Sequence, residues 1–248
     1  MSYIYRCVVL LLSACVPYAI TLKLPNYIKA CKDDGSLDSC ALKQGEAVIR
    51  KLIHGDPKYR IPDMDPMKIT ELVINQGNQQ FGLNLTLKNF GIHGLKETKF
   101  VGSRMDLKKK HVEWDFFVPR LMILGKYISS GKVLVLPISG NGNGNITLVN
   151  VNITYKFDYK LEKVKGEDYL KITSKKLVFD TTRLYTRMDN LFNGDKVLGD
   201  AMLQFLDENW RDVVKELGPA VGDAISSVFT LILTNIASVV PFKELVTV

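Results

Sequence analysis

Thirteen consecutive residues in which apolar and polar side chains alternate constrain this chain most strongly. Apolar residues occupy every second position from Val149 to Leu161, and Asn, Thr, Lys and Asp occupy the positions between them. A period of two places all the apolar side chains on one face of a β-strand. Because a sheet built from such strands has one dry face, another part of the chain must cover that face.

Shorter segments before and after this run show similar patterns. Residues 81–88 and 112–118 alternate in the same way, with Leu85, Trp114 and Phe116 on their apolar faces. The middle of the chain, roughly 110 residues, is therefore predicted to form a long antiparallel meander. Further strands are predicted over residues 69–74, 121–127, 132–138, 170–173 and 176–180.

Two apolar segments near the C-terminus are candidates to cover this sheet. Residues 197–217 have the period of a one-sided helix, and Gly218 with Pro219 predicts its end. Residues 220–240 carry a single charge, at Asp223, and are apolar on nearly all sides. Such a helix must be enclosed by protein or by lipid. Enclosure within the same protein is the simpler interpretation, and membrane attachment is the alternative.

The N-terminus has the three parts of a secretory signal peptide. One positive charge precedes an unbroken apolar run over residues 7–12, and small residues follow between Ala14 and Ala19. The run is too short to span a bilayer, which takes about 20 apolar residues. We therefore expect residues 1–19 to form a signal peptide that is cleaved between residues 14 and 19. Cleavage would also remove Cys7 and place the protein in the extracellular space.

Cys31 and Cys40 then remain in the predicted single domain, residues 20–248, because Cys15 is expected to leave with the signal peptide. Two thiols in an oxidising compartment should pair, and closing so short a loop contributes about 2 to 3 kcal/mol. Zinc is the weaker alternative, since no nearby His completes a set of four ligands. Apolar residues at helical spacing follow, and they predict a short helix from Asp38 or Ser39 to residue 53.

Three Asn-x-Thr triplets agree with export. They make Asn84, Asn145 and Asn152 candidate N-glycosylation sites. Asn84 and Asn152 fall on the polar faces of predicted strands. Residues 140–145 alternate Gly and Asn, and strand-like sequence on both sides favours an exposed hairpin turn over a phosphate-binding loop.

Little in the sequence predicts catalysis, a cofactor or a metal site. The three histidines, His54, His93 and His111, have no metal-binding spacing, and no Gly-x-Ser-x-Gly elbow occurs. The net charge is +7, but the densest basic cluster, Arg104 with residues 108–111, lacks the aromatic residues that single-stranded nucleic acids stack on. We therefore expect no enzymatic activity, no cofactor and no nucleic-acid partner.

Short motifs near both ends of the chain occur in a characteristic order. The N-terminal group comprises Leu24-Pro25, Cys31, Cys40, Ile61-Pro62, Asp65-Pro66-Met67 and Val73-Ile74-Asn75. The C-terminal group comprises Asn190-Leu-Phe-Asn-Gly194, Leu198-Gly199, Phe205-Leu206, Asn209-Trp210, Leu217-Gly218-Pro219 and Pro241-Phe242. In this order the sequence resembles the insect takeout family, which is related to the haemolymph juvenile-hormone-binding proteins.

The resemblance implies an α+β, TULIP-like fold. In this fold a strongly curved antiparallel sheet wraps around a long C-terminal helix, and an apolar tunnel lies between the sheet and the helix. It also implies a secreted carrier of a hydrophobic small molecule, linked to circadian, feeding or chemosensory physiology, without stable membrane insertion. Tyr155 or Tyr159 is expected to give the ligand one orienting hydrogen bond. The expected tunnel-lining residues are Leu85, Trp114, Phe116, Val135, Tyr155, Phe157, Met202, Phe205, Phe229 and Ile232.

Two other functions are compatible with the same residues. One is a secreted hydrolase of lipophilic hormone esters, and the other is a structural glycoprotein attached to a membrane through residues 220–240. The apolar faces alone do not distinguish a lined cavity from a filled core. Whether a cavity exists is therefore the structural observation on which the carrier interpretation depends.

Overall fold

The computed structural model describes residues 21–76 and 82–247. The predicted signal peptide lies outside these residues, as does Phe81 in one of the predicted strands. The helices are α1 (Leu37–Leu52), α2 (Lys196–Glu208), α3 (Trp210–Ala237) and α4 (Phe242–Leu245). The strands are β1 (Cys31–Lys32), β2 (Met67–Gln76), β3 (Leu83–His93), β4 (Lys99–Asp106), β5 (His111–Val133), β6 (Leu136–Val164), β7 (Glu167–Asp180), β8 (Arg183–Met188) and β9 (Val246–Thr247).

The described residues form a seven-stranded antiparallel sheet built on one long hairpin, β5 with β6. This hairpin is paired from His111 opposite Asp158 to Val133 opposite Leu136. Strands β4 and β3 pair with successive parts of β5, whereas β7 and β8 pair with different parts of β6. The two end strands, β2 and β7, both contact α3, so the sheet curves around that helix.

The burial of β6 confirms the alternation seen in the sequence. Val151, Ile153, Tyr155 and Phe157 are each at most 5% exposed, while Asn152 between them is exposed. The apolar face of the sheet points inward, toward the helices, and the polar face points to solvent.

The C-terminal helical segment breaks at Asn209, and the predicted break at Gly218 and Pro219 is wrong. Asn209 has non-helical backbone angles (φ −104°, ψ 24°), and its side-chain Nδ2 donates a hydrogen bond to the Phe205 carbonyl at 2.8 Å. Pro219 lies inside α3. Pro219 and Lys215 are both exposed, so water can solvate the Lys215 carbonyl that has lost its helical N–H donor.

Helix α1 begins at Leu37, slightly before the predicted start, and two links hold it in place. The Asp38 carboxylate accepts hydrogen bonds from the Met105 backbone N–H at 2.8 Å and from the Ser103 hydroxyl at 3.2 Å, which joins α1 to β4. The predicted disulfide between Cys31 and Cys40 is present and joins β1 to α1. Strand β1 also pairs with β9, which brings the two ends of the described chain together.

The predicted Gly-Asn hairpin turn is wrong, because residues 140–145 lie inside β6 and pair with β5. The turn that joins the two long strands is at Leu134 and Val135. The glycines of β6 serve close packing instead. A Cβ atom at Gly142 would lie 2.5 Å from the Asp189 carbonyl oxygen, so only glycine fits this approach.

Candidate functional site

A cavity of about 390 Å³ lies between the concave face of the sheet and the helices α1 and α3. Sites for small molecules in proteins typically have volumes of about 300 to 1,000 Å³. The apolar residues of this protein therefore do not simply fill its interior. They enclose a space large enough for a ligand.

The sheet contributes an aromatic wall to this cavity. Phe116 packs against Phe229 of α3 with ring centroids 5.5 Å apart, and Trp114 packs edge-to-face against Phe157 at 5.4 Å. These side chains share the wall because they occupy alternate positions on the apolar faces of β5 and β6. The sheet residues include Phe100, Val112, Trp114, Phe116, Leu121, Ile123, Leu148, Val151, Ile153, Phe157, Tyr159 and Phe179.

The two longer helices form the opposite walls through residues three or four positions apart. From α3 the wall includes Val221, Ile225, Val228, Phe229, Ile232, Leu233 and Ile236. From α1 it includes Leu37, Ala41, Gln44, Gly45, Val48, Ile49 and Leu52. Both ends of the described chain also contribute, through Leu24, Ile28, Phe242, Leu245 and Val246.

Helix α3 has the length and composition of a membrane-spanning segment, and only 28% of its most apolar window is buried. Several of its partly accessible apolar side chains, such as Val221, Ile225 and Val228, line the cavity. The helix also packs against β7 and β2. This arrangement favours enclosure of the helix within the protein over enclosure by lipid.

Five of the ten residues predicted to line the tunnel do lie on the cavity wall. These are Trp114, Phe116, Phe157, Phe229 and Ile232. Trp114, Phe116 and Phe157 alternate along strands, and Phe229 and Ile232 belong to the inward stripe of α3. Whether they bind a ligand stays a prediction.

Four of the predicted residues, Leu85, Tyr155, Met202 and Phe205, are buried or half-buried outside the cavity wall. Tyr155 is fully buried, and its hydroxyl lies 2.8 Å from the Thr230 hydroxyl of α3, so it ties the sheet to the helix. Tyr159, the alternative for an orienting hydrogen bond, does line the cavity.

The prediction that Val135 lines the tunnel is wrong. Val135 is 78% exposed because it lies in the two-residue turn between β5 and β6, where the chain reverses and no longer belongs to the apolar face. Its position in an apolar, strand-like sequence concealed this turn, which lacks the Asn-Gly signal typical of tight hairpins.

The sequence did not predict that α1 and Phe100 contribute to the cavity wall. Helix α1 was predicted as an amphipathic helix, and its apolar stripe was the available signal, but nothing local indicated that it would face the same space as α3. Phe100 lies on β4, a strand that the alternation pattern did not identify.

The cavity wall contains few polar side chains. Lys29, Gln44, Thr98 and Tyr159, with its hydroxyl, belong to it, and no Asp or Glu of the described residues does. The wall therefore favours apolar molecules and offers no carboxylate that would bind a cationic ligand.

His111 lies outside this cavity, in a charged cluster on the polar face of the sheet. Its Nδ1 is 2.6 Å from Asp158 and its Nε2 is 3.2 Å from Glu113, and the hydrogen bond with Asp158 is the larger cause that raises the pKa of His111. Lys156, His111 and Arg104 together lower the pKa of Glu113 to about 2. Because both ring nitrogens contact carboxylates, His111 is poorly placed to act as a catalytic base.

The three glycosylation triplets differ in exposure. Asn84 and Asn152 are exposed on the polar face of the sheet. Asn145 is half-buried, and its side-chain oxygen accepts a hydrogen bond from the Thr147 hydroxyl at 3.0 Å. Asn84 and Asn152 are therefore the more accessible acceptors.

A curved sheet wrapped around a long helix, with an apolar cavity between them, defines a class of protein that can enclose a hydrophobic small molecule. The sequence model of the haemolymph juvenile hormone binding protein family matches residues 7–247, so the chain belongs to this family. The circadian clock-controlled protein daywake of Drosophila melanogaster is 26% identical over 228 residues, covering 89% of this chain and 87% of the relative. Daywake of Drosophila yakuba is 24% identical over the same shares of both chains.

The crystal structure of Takeout 1 from Epiphyas postvittana is similar to this structure, with a TM-score of 0.79 and 28% sequence identity. The match covers 89% of this chain and all of that chain. The resemblance to the takeout family and the expected α+β, TULIP-like fold are both confirmed.

Proposed function

We propose that this protein is a secreted, non-enzymatic carrier that binds an elongated hydrophobic molecule in its internal cavity. The observation that carries this proposal is the cavity of about 390 Å³, enclosed by apolar side chains from the sheet and from two helices. Membership in a family described by hormone binding in haemolymph supports the same function. A terpenoid, a fatty acid or a similar lipid has the required shape and apolar surface.

Apolar burial alone can supply the affinity. A ligand that buries about 400 Å² of apolar surface gains about 10 kcal/mol before the costs of lost motion. Subtracting about 4 kcal/mol for lost translation and rotation leaves about 6 kcal/mol, which corresponds to a Kd on the order of tens of micromolar. No charge pairing is needed for such binding.

Several features support secretion, and the relatives suggest a physiological setting. The predicted signal peptide, the disulfide between Cys31 and Cys40 and the exposed acceptors Asn84 and Asn152 all fit an extracellular glycoprotein. The name of the daywake relatives refers to control by the circadian clock. We therefore include a link to daily rhythms, feeding or chemosensation in the proposal.

The direct test is to extract the purified, secreted protein with organic solvent and to identify released molecules by mass spectrometry. The lipid-free protein is then titrated with a fluorescent fatty acid and a fluorescent terpenoid. We expect a bound lipid in the extract or saturable uptake of at least one probe. An empty extract together with no uptake of either probe would contradict the carrier function.

Val228→Trp tests whether binding takes place in this cavity. Val228 faces the cavity from α3, so the larger side chain should occupy ligand space and weaken probe binding by about tenfold or more. Leu231→Trp is the matched control, because Leu231 is 58% exposed and does not line the cavity. Equal probe affinity for the two variants, both folded by circular dichroism, would place the binding site elsewhere.

A further inference from the structure

The solvent-facing side of the sheet carries mainly polar side chains, but apolar side chains interrupt it near both of its ends. Val73 on β2 is 51% exposed, Ile128 on β5 is 48% exposed and Val178 on β7 is 46% exposed. Val73 and Val178 lie on the two end strands of the sheet. Exposed apolar side chains on an end strand favour pairing between molecules, and proteins usually prevent it with charged residues or by covering the edge.

Two of these side chains flank the acceptor triplet Asn84-Leu-Thr86. Thr86 is paired with Val73 of β2 on one side and with Ile128 of β5 on the other. Asn84 lies two positions before Thr86 on the same face of β3, so both apolar side chains are its diagonal neighbours. Diagonal neighbours in a sheet are about 7 to 8 Å apart. A bulky group attached to Nδ2 of Asn84 can therefore lie over either of them.

The triplet that begins at Asn152 has a similar position at the other end of the sheet. Thr154 is paired with Val178 of β7, which makes Val178 a diagonal neighbour of Asn152. On its other side Asn152 is paired with Phe117 of β5, a half-buried aromatic side chain. Both exposed acceptors thus lie one strand away from an end strand and next to apolar side chains.

N-acetylglucosamine, the first sugar of an N-linked glycan, matches such a surface. Its hydroxyl and acetamide groups form hydrogen bonds with water, whereas the C–H groups on the face of its ring and its acetyl methyl group are apolar. Contact of these groups with valine, isoleucine or phenylalanine removes apolar surface from water on both partners. The outer sugars stay hydrated and keep other protein molecules at a distance.

We propose that N-linked glycans on Asn84 and Asn152 are packed parts of the sheet surface. The first N-acetylglucosamine of each glycan covers the apolar side chains beside its acceptor and shields the adjoining end strand, β2 or β7, from other molecules. This inference rests on the secretion that is part of the proposed function, because N-linked glycans are attached in the secretory pathway. It does not depend on the ligand.

The first measurement is whether both acceptors carry glycans. The protein is secreted from cultured insect cells in the presence of kifunensine, which keeps the glycans in the high-mannose form, and its glycopeptides are identified by mass spectrometry. We expect both Asn84 and Asn152 to be occupied. An unoccupied acceptor in the secreted protein would overturn the inference for that end of the sheet.

Thermal unfolding then tests the packing at Asn84. Asn84→Gln should lower the melting temperature by about 2 to 4 °C. The loss should be much smaller when Val73→Thr and Ile128→Thr are already present, because these substitutions remove the apolar contact and keep β-branched side chains. Asn75→Gln is the matched control, since Asn75 is exposed and paired with Asn84 but belongs to no acceptor triplet. An equal loss in both backgrounds would contradict the packing.

Endoglycosidase H separates packing of the first sugar from the bulk effect of a large hydrated glycan, because it leaves a single N-acetylglucosamine on each acceptor. We expect the trimmed protein to keep its melting temperature and to be monomeric by light scattering. A fall to the melting temperature of the protein with both Asn84→Gln and Asn152→Gln would overturn the role of the first sugar. A glycosylated dimer that Val73→Thr or Val178→Thr separates would show that a second copy covers the apolar side chains, and it would overturn the inference as well.

Uptake of the fluorescent probes is measured on the same samples. None of the substituted residues lies on the cavity wall, so the probe affinity should be the same in every variant. Failure of the glycan inference therefore leaves the carrier function intact, whereas a wild-type protein that takes up no probe would contradict the carrier function and not the packing of the sugars.

Discussion

The two ends of the long β5–β6 hairpin have the same alternating pattern, but one end encloses a cavity and the other is solid. At the cavity end, the inward residues include Trp114, Phe116 and Phe157, which stand opposite α1 and α3. At the solid end, Tyr127 is 1% exposed and its hydroxyl donates a hydrogen bond to the Asp189 carbonyl at 2.6 Å. Alternation therefore determines which face is dry, but not whether the space behind that face is filled.

The two ends differ in the helix that covers them, and the solid end also has close backbone contacts at three glycines. Gly125, Gly140 and Gly142 let neighbouring chain segments approach the solid end closely, and a Cβ atom at any of the three would clash. Helix α2 fills this end with side chains such as Met202 and Leu206. At the other end, α1 and α3 face the sheet, and the cavity lies between them.

The largest expected effect is a difference in the unfolding free energy lost when one apolar side chain is truncated at each end of the hairpin. Leu206→Ala at the solid end should cost about 2 to 5 kcal/mol, because it removes a side chain that is packed on all sides. Ile225→Ala at the cavity wall should cost about half as much, because that side chain already faces empty space. Urea unfolding of the lipid-free proteins measures both free energies, and equal losses would show that the cavity is not empty in solution.

Glycine substitutions within β6 test how tightly the solid end is packed. Gly142→Ala should cost about 1 to 3 kcal/mol, because its methyl group would meet the backbone at Asp189. Gly144→Ala is the matched control, since its Cβ atom would lie 3.5 Å from Tyr127, an ordinary contact distance. Thermal unfolding should separate the two variants clearly. A similar melting temperature for both would mean that the close approach at Gly142 relaxes without cost.

The smallest effect is expected on the polar face, where His111 and Glu113 are paired. The raised pKa of His111 means that its contribution is complete below about pH 6.5 and is lost as the pH rises through the raised pKa. The lowered pKa of Glu113 means that its contribution is complete above about pH 4.5 and is lost as the pH falls toward 2. Partial exposure limits each contribution to less than about 1 kcal/mol.

His111→Gln should therefore reduce the loss of unfolding free energy as the pH rises. Glu113→Gln should reduce the loss of unfolding free energy as the pH falls. Urea unfolding between pH 2 and pH 9 measures the profile of each variant. Because the cluster lies on the solvent side of the sheet, probe binding should not change in either variant. A loss of binding in His111→Gln would connect this cluster to the cavity and contradict its purely structural role.

The sequence predicted the fold correctly wherever a local pattern favours a single structure. Alternation located the apolar face of β6, and the pairing of Cys31 with Cys40 followed from cysteine count and compartment. The break in the C-terminal helix did not follow, because the effect of Pro219 depends on whether water reaches the Lys215 carbonyl. The turn at Val135 did not follow either, because its residues lack the conformational preference that usually marks a hairpin.

The cavity itself was less predictable than the fold. Tyr155 and Phe157 occupy equivalent positions on one face of β6, yet Tyr155 is covered by α3 whereas Phe157 lines the cavity. The difference depends on where the helix crosses the sheet, which is a long-range property. The buried indole N–H group of Trp114 has no acceptor among the described residues. The sequence could not predict this, because it depends on which side chains surround the ring.

The pairing of β1 with β9 has a consequence for when a ligand can be captured. Cys31 lies opposite Val246, and both residues belong to the cavity wall. Residues 242–247 emerge from the ribosome after the segments that form the other walls, so the enclosure is incomplete throughout most of translation. A ligand in this cavity can therefore be fully enclosed only after this last part of the wall has been synthesised and has paired with β1.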